Sequence, residues 1–401
     1  MSNVARDIYI CAAKRTPIGT FMGSLSGFSP AELGAITAEA ALAQAGLDAR
    51  HVDSLVVGNI IATSPQTLYV ARDIGRRVGV PDSATALNVN RACGSGVQAI
   101  ISGALEIASG TADVVLAGGS EVMSQAPYTV DGMRRGKKMG DGRLTDWLTG
   151  LLSCPFGNGH MGVTAENVAE KYGVSREDQD RFAELSQSRA AAAIAGGEFV
   201  DQIVPVAVKT RKGEVSFDTD EHPRETTVET LAKLPAVFAE GGSVTAGNAS
   251  GINDGACMLV LASGDAVQEH GLSPLGVIRG WGIAGVPPEI MGIGPVAAVP
   301  KALQHAGLSL DDIGVIESNE AFAAQAVAVS RELGFDEAKT NPQGGAIALG
   351  HPVGATGAIL TTKALYYQRR NNVRFGLVTL CIGGGQGIAL VVENLAFDGA
   401  K

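Results

Sequence analysis

No apolar stretch in these 401 residues approaches the ~18 needed to cross a bilayer without meeting a glycine or a charge, so a membrane protein is not expected. No C-x-x-C pair occurs. The five cysteines (Cys11, Cys93, Cys154, Cys257 and Cys381) are dispersed and odd in number. That excludes a disulfide framework and a zinc site, leaves no metal-ligand candidate, and suits a reducing compartment. Positive charge is also short: 31 Lys and Arg stand against 41 Asp and Glu, a net charge of −10, which argues against a nucleic-acid partner. Aromatic residues make up 5%. No charged-then-apolar leader precedes the strand-like run at Ile8, and the final Gly-Ala-Lys is not a peroxisomal tripeptide. A cytoplasmic protein is the expectation.

Glycine, by contrast, is abundant, with 53 residues against a usual share of ~7%. Tight turns and close helix packing follow. A hydrophobic fraction of 45% with 18% charged residues marks a well-buried globular chain. Its length exceeds what one core supports, so two or three domains are expected.

Short apolar runs alternate with helical patterns from Ile8 to Gly119, the pattern of a mostly parallel α/β sheet. Ser29-Pro30 predicts a helix start and Gly46 its stop. From Ser120 to Gly242 the chain turns polar and irregular. A helix is predicted from Thr164, as a possible cap, to Tyr172, and another from Ser175 to about Ala195. Basic clusters at Arg134 to Lys138 and at Arg211-Lys212 read as solvated loops, with phosphate contact as the sharper alternative. The α/β pattern resumes at Ser243. The expected division is 1–119 plus 243–268 as one half, 120–242 as an insertion, and 269–401 as a second half.

One stretch carries chemistry on its own. Val89-Asn-Arg-Ala-Cys93-Gly-Ser-Gly96 places a lone cysteine where a strand turns into a helix. Unpaired N–H groups and the macrodipole at a helix N-terminus favour an anion, so the thiol is expected to lean towards thiolate. A buried core cysteine would fit the same residue.

The chain also repeats itself. Ala41-Leu-Ala-Gln-Ala-Gly-Leu47 returns as Ala302-Leu-Gln-His-Ala-Gly-Leu308, an offset of 261, and Cys93-Gly-Ser-Gly aligns with His351-Pro-Val-Gly at 258. Each is followed by a helix and a strand ending in glycines, the second ending at Cys381-Ile-Gly-Gly. Two similar halves about a pseudo-twofold axis are expected. Cys93 and His351 would then sit at equivalent points and pair as nucleophile and base. Half-ionising a thiol at pH 7 needs a shift of ~1.5 units, roughly 2 kcal/mol, which a nearby imidazole and a helix N-terminus can supply. Cys381 could carry protons, and Asn319 could orient a water. Turns at Cys93-Gly94 and Ile382-Gly383 could offer N–H groups to an oxyanion.

With these residues on the page the chain resembles a thiolase over essentially its whole length. The matching stretches are Cys93-Gly-Ser-Gly, Gly118 to Tyr128, His160 to Asn167, Thr245 to Gly255, Asn319-Glu-Ala-Phe-Ala, Gly344 to Gly357, and Cys381 to Gly387. The resemblance implies a duplicated αβαβα five-layered core with a loop-domain insertion in the first half. It implies a ping-pong Claisen condensation of acyl-CoA and its reverse, thiolysis, by an acyltransferase that takes CoA and acyl-CoA as substrates and needs no other cofactor. Cys93 would be acylated with His351 as base, and Cys381 would move the proton of the second acetyl-CoA. Asn319, through a water, and His351 would form one oxyanion hole; the N–H groups of Cys93 and Gly383 would form the other. His160, Met161, Arg224, Phe238 and Ser250 stand at the family's CoA-contact positions. Met291 could line the acyl pocket. A homotetramer with contacts in 120–145, or a homodimer, is implied.

Three alternatives fit the residues less well. A decarboxylating synthase of the same fold lacks a second catalytic cysteine. A nucleotide-binding dehydrogenase needs G-x-G-x-x-G, and neither Gly350 to Gly354 nor Gly383 to Gly387 has that spacing. A non-catalytic acyl-CoA carrier would not need the Cys/His/Cys set.

Overall fold

The computed structural model describes residues 7–399. Residues 1–6 of the expected first half, and the Ala400-Lys401 of the C-terminal tripeptide, lie outside the described residues. One hydrogen-bonded path joins the strands in the order Ile313–Ser318, Phe375–Ile382, Gln386–Asn394, Gly276–Gly285, Ile8–Arg15, Asn253–Ser263, Val114–Val122, Ser54–Gly58 and Thr85–Val89. The short strand Gly19–Thr20 pairs with Asn253–Ser263. The path is two similar sheets meeting at its middle, where only Tyr9–Val277 and Ile10–Gly276 pair. At one outer edge Thr85–Val89 lies beside Ser54–Gly58; at the other, Thr340 makes a single parallel bridge to Ile316.

The sheet is not mostly parallel, as the alternation suggested. Parallel pairing joins Ser54–Gly58 to both of its neighbours and Ile313–Ser318 to Phe375–Ile382. These are the strands linked through helices, and a helical crossover returns the chain in the same direction. The remaining ladders are antiparallel. Phe375–Ile382 turns straight back into Gln386–Asn394 through Gly383 to Gly385, where Gly384 and Gly385 take φ of 86° and 90°. Val114–Val122 also runs through Ser120 and Glu121, past the boundary expected at 119.

Helices sort into three layers around the two sheets. Ser95–Ser109 and Thr356–Arg370 lie between them. Val97, Ile100, Ile101, Ala358, Ile359 and Leu360 from these helices share one buried cluster with Val115, Leu259, Leu380 and Leu390. Outside the first sheet Pro30–Ala45 and Val70–Arg77 bury Ala38, Leu42 and Ile74 on Leu55, Val57 and Val260. Outside the second, Gly294–Ala306 buries Ala298, Ala302 and Leu303 on Leu377 and Val391. Ser29 caps its helix with a full capping box, and the helix ends at Gly46 with φ 65°. Its counterpart ends at Gly307 with φ 68°.

The inserted segment carries hairpins, Tyr128–Val130 with Leu144–Asp146 and Val206–Thr210 with Gly213–Phe217, and two longer helices, Met161–Tyr172 and Arg176–Ala195. Ala165, Val168 and Ala169 bury themselves against Ala324 and Ala328 of the helix Ala323–Leu333 in the second half. The segment is also tied to the first half: the buried Arg15 guanidinium meets Asp220 through two N–H···O bonds of 2.7 and 3.0 Å.

Candidate active site

The turn carrying Cys93 is held against strain. Ala92 has φ 41°, a left-handed conformation that costs a non-glycine residue energy. Its N–H donates to Asn90 Oδ1 at 3.0 Å, and Ser95 Oγ accepts from the Arg91 N–H and donates to the Ala92 carbonyl, both at 2.8 Å. Arg91 reaches across to Gln386 Oε1 at 2.8 Å, fixing the turn to the strand that follows the Gly383 hairpin. A Cβ on Gly94 would lie 2.6 Å from Ile382, so only glycine lets the turn approach that strand. Cys93 is half-buried, Cys381 fully buried.

Cys381 ends the strand beside this turn. Burial pushes the Cys93 thiol up, opposed by the backbone N–H groups of Gly383 and of Cys93 itself. Burial, and the proximity of Cys93, push Cys381 up as well. His351 is buried and held down to about 4 by that burial. The expectation of a thiol shifted towards thiolate is therefore overturned. Loss of solvent outweighs the N–H groups, and the resting pair is a neutral thiol and a neutral imidazole.

His351 is fixed on three sides. Its N–H donates to Asn253 Oδ1 at 2.9 Å, Nδ1 lies 2.6 Å from Thr356 Oγ1, and Nε2 lies 3.4 Å from Asn319 Nδ2. Asn319 follows the strand Ile313–Ser318 and is held by its N–H to the Thr379 carbonyl at 2.9 Å; its Oδ1 has no partner among the described residues. Cys93 packs against the cluster of Ile61, Met123, Leu148 and Val353, the last lying two residues beyond His351.

His351 is not the symmetry equivalent of Cys93. The central helices begin at Ser95 and Thr356 and touch at Gly96 and Gly357, each pair 261 apart, the offset of the repeated helix ends. That register pairs Cys93 with Gly354. His351 comes from the turn Gly350 to Ala355 ahead of the second helix, where the 261 register sets it opposite Asn90, and the 258 alignment was a coincidence of glycine spacing.

Three residues that the sequence did not single out hold this turn. Asn253 holds the His351 backbone and Thr356 faces its ring. Glu121, fully buried, accepts from the N–H groups of Ile60, Ile61 and Gly354 at 3.1, 3.1 and 3.0 Å. Burial pushes Glu121 up to about 8 against those donors, with Asp254 adding to the rise. Nothing in a linear spacing marks such contacts. Glu320, next to Asn319, is buried too and accepts from Ser186 Oγ, Asn341 Nδ2 and the Ile347 N–H, steadying the segment that leads to His351.

The expected CoA-contact residues separate into groups. His160, not Thr164, caps the helix: its Nδ1 accepts from the Gly162 N–H at 3.0 Å, and the helix starts at Met161. An imidazole is an uncommon cap, so the hydroxyl was the better guess from composition. The His160 ring stacks on Phe238, centroids 4.8 Å apart, and Phe238 stands edge-on to Phe322 at 6.2 Å. Met161 reaches to within 3.3 Å of where a Gly383 side chain would be, and shares a cluster with Met291 and Cys381. Ser250 is held to the Ala321 carbonyl at 3.0 Å, beside Phe322. Arg224 stands apart, joined to that loop through the Ala246 carbonyl at 3.1 Å. It lines a cavity of about 1360 Å³ between Arg176–Ala195 and Ala323–Leu333, whose lining does not include Cys93, His351 or Cys381.

Arg134, Arg135, Lys137 and Lys138 are exposed, as are Arg211 and Lys212 at a hairpin tip. Cys11 and Cys257 are buried thiols that burial pushes up to about 12. Among the described residues no cluster of three or more His, Cys, Asp or Glu could hold a metal, and no helix is long and apolar enough to cross a membrane.

Comparison with known proteins agrees with this geometry. The model of the thiolase N-terminal domain matches residues 8–265, and that of the thiolase C-terminal domain 272–394. The beta-ketothiolase BktB of Cupriavidus necator is 51% identical over 98% of this chain and all 100% of its own. An acetyl-CoA acetyltransferase of Pseudomonas aeruginosa is 50% identical over 97% of this chain and 100% of its own. The crystal structure of human mitochondrial 3-ketoacyl-CoA thiolase superposes with a TM-score of 0.96 at 46% identity, covering 98% of this chain and 100% of that one. Its complex with CoA gives 0.95 over 98% and 99%.

Proposed function

This chain belongs to the thiolase family and is an acyltransferase for the Claisen condensation of acyl-CoA and its reversal, and we propose that it works by a ping-pong mechanism through acyl-Cys93. Cys93 Sγ attacks the thioester carbonyl while His351 Nε2 takes the thiol proton and returns it to the departing CoA sulfur. The N–H groups of Cys93 and Gly383 receive the developing oxyanion. In the second half-reaction the Cys381 thiolate withdraws a proton from the methyl of acetyl-CoA. The carbanion then attacks the acyl carbon and expels the Cys93 sulfur, which takes that proton from Cys381 and so returns both groups to their starting forms. Asn319, through a water, stabilises the enolate oxygen, and His351 adds to this hole in its Nε2-protonated form.

The observation that carries this reading is the crowding of Cys93, Cys381 and the Gly383 N–H. Part of the rise at Cys381 comes from Cys93.

CoA would lie along His160, Met161, Phe238 and Ser250, with Arg224 at the far end, and would serve as substrate with no resident cofactor. Free cysteines support a cytoplasmic location. A homotetramer or homodimer is supported by exposed Leu87 on the edge strand Thr85–Val89 and by exposed Tyr128, Met133, Met139 and Leu144. The test is thiolysis of acetoacetyl-CoA with both substrates varied. Parallel reciprocal plots, and no turnover by Cys93→Ala, are expected. Intersecting plots or an active Cys93→Ala would overturn the mechanism.

A further inference from the structure

The ring of His351 can act as base at Nε2 only if its neutral proton sits on Nδ1. We propose that the Thr356 hydroxyl is the residue that puts it there. Thr356 is buried at the first position of the helix Thr356–Arg370, so its side chain is fixed by a rigid element. Its oxygen lies 2.6 Å from His351 Nδ1 and 2.9 Å from the Pro352 carbonyl oxygen. A hydroxyl has one proton to give. The carbonyl can only accept, so the hydroxyl donates to Pro352 and receives the Nδ1–H. Pro352 also accepts the Ala355 and Thr356 N–H groups, each at 2.9 Å.

The opposite arrangement meets a second obstacle. If Thr356 donated to Nδ1, the ring proton would move to Nε2 and face the Asn319 side chain at 3.4 Å, where the amide would have to turn its Oδ1, unpartnered among the described residues, towards the ring to accept it. With the proton on Nδ1, the single Nε2 lone pair accepts the Asn319 N–H and then, as acylation begins, the Cys93 proton in its place. Thr356 is thus a positioning residue. It sets the tautomer, as a carboxylate does beneath the histidine of a serine-protease triad, but here with an uncharged group. This spares a buried charge beside an imidazole that burial already holds neutral.

The inference rests on His351 being the base, so the experiment separates the two. In the full-length chain with 15N-labelled histidine rings, the resonance lost in His351→Asn identifies His351. A protonated Nδ1 and an unprotonated Nε2 are expected at neutral pH. Thr356→Val should slow acylation of Cys93 by about 10–100-fold, in line with loss of an orienting partner, and should move part of the ring proton to Nε2. Thr356→Ser, which keeps the hydroxyl, should restore both. If His351→Asn acylates Cys93 at the wild-type rate, the base assignment itself falls. If it does not, but Thr356→Val acylates normally, the role of Thr356 falls alone. A neutral proton on Nε2 of the wild-type ring overturns that role even if the valine variant does not fold.

Discussion

In the proposed mechanism Cys93 and His351 work as a neutral pair, and burial is the reason. An ion pair would have to be desolvated on both sides, and the two N–H groups at the sulfur do not offset that. The pH behaviour follows. His351 has a folded pKa of about 4 against its ordinary 6.5, so the folded chain binds this proton more weakly than the unfolded one. Above pH ~6.5 the ring is neutral in both states and its contribution is level. As pH falls from ~6.5 towards ~4 the unfolded chain is protonated first and stability is lost, by at most about 3 kcal/mol. Urea titrations of the wild type and His351→Asn should therefore converge by up to that amount between pH ~7 and ~4. The acylation rate should stay flat between pH ~5.5 and ~8; a limb centred near pH ~6.5 would mean that His351 keeps the ordinary imidazole value and is not held neutral by burial. Composition could not have revealed the direction of these shifts. The helix N-terminus at Cys93 was legible, but the loss of solvent around it depends on Val353, Gly383 and Cys381, which only the fold brings near.

At the scale of elements, local signals were read well and relative direction was not. Ser29, Gly46, Ser175 and Gly307 mark their helix ends because a cap is satisfied within a few residues. Strand direction depends on what lies between strands, and the hairpin at Gly383 to Gly385 reversed what alternation implied. The same limit hid the register of the two halves. A repeated helix end gave the offset of 261, whereas the alignment of Cys93 with His351 missed it by three residues. The contact of the central helices fixes that register physically. A Cβ on Gly96 would lie 2.6 Å from the Ala358 nitrogen, and one on Gly357 2.5 Å from that of Val97. Backbone cannot yield as a side-chain tip can. Gly96→Ala is expected to cost about 3 kcal/mol and to slow acylation, since the same helix carries Cys93 at its head. A thermal melt within a degree or two of wild type would show that the helices separate easily.

Across the whole molecule, the site is assembled from three sources that never adjoin in sequence. The first half gives the proposed nucleophile Cys93, the second gives the proposed base His351, the amide of Asn319 and the thiol of Cys381, and the inserted segment supplies His160, Met161 and Phe238 beside them. The Arg15–Asp220 pair is one anchor of that cover, with Asp220 Oδ1 also receiving the Ile18 N–H at 2.8 Å. Both side chains are fully buried. Asp220→Ala would strand the guanidinium, a loss of roughly 3–5 kcal/mol, read as a lower urea midpoint; an unchanged midpoint would show that Gln202 alone suffices to hold Arg15. The most direct measurement of the chemistry itself is mass spectrometry of peptides from enzyme mixed with acetyl-CoA. An acetyl group should appear on the Cys93 peptide in the wild type and in Cys381→Ser, with the serine variant failing afterwards to form acetoacetyl-CoA. An acetyl group on Cys381, or none on Cys93, would contradict the acyl-Cys93 mechanism.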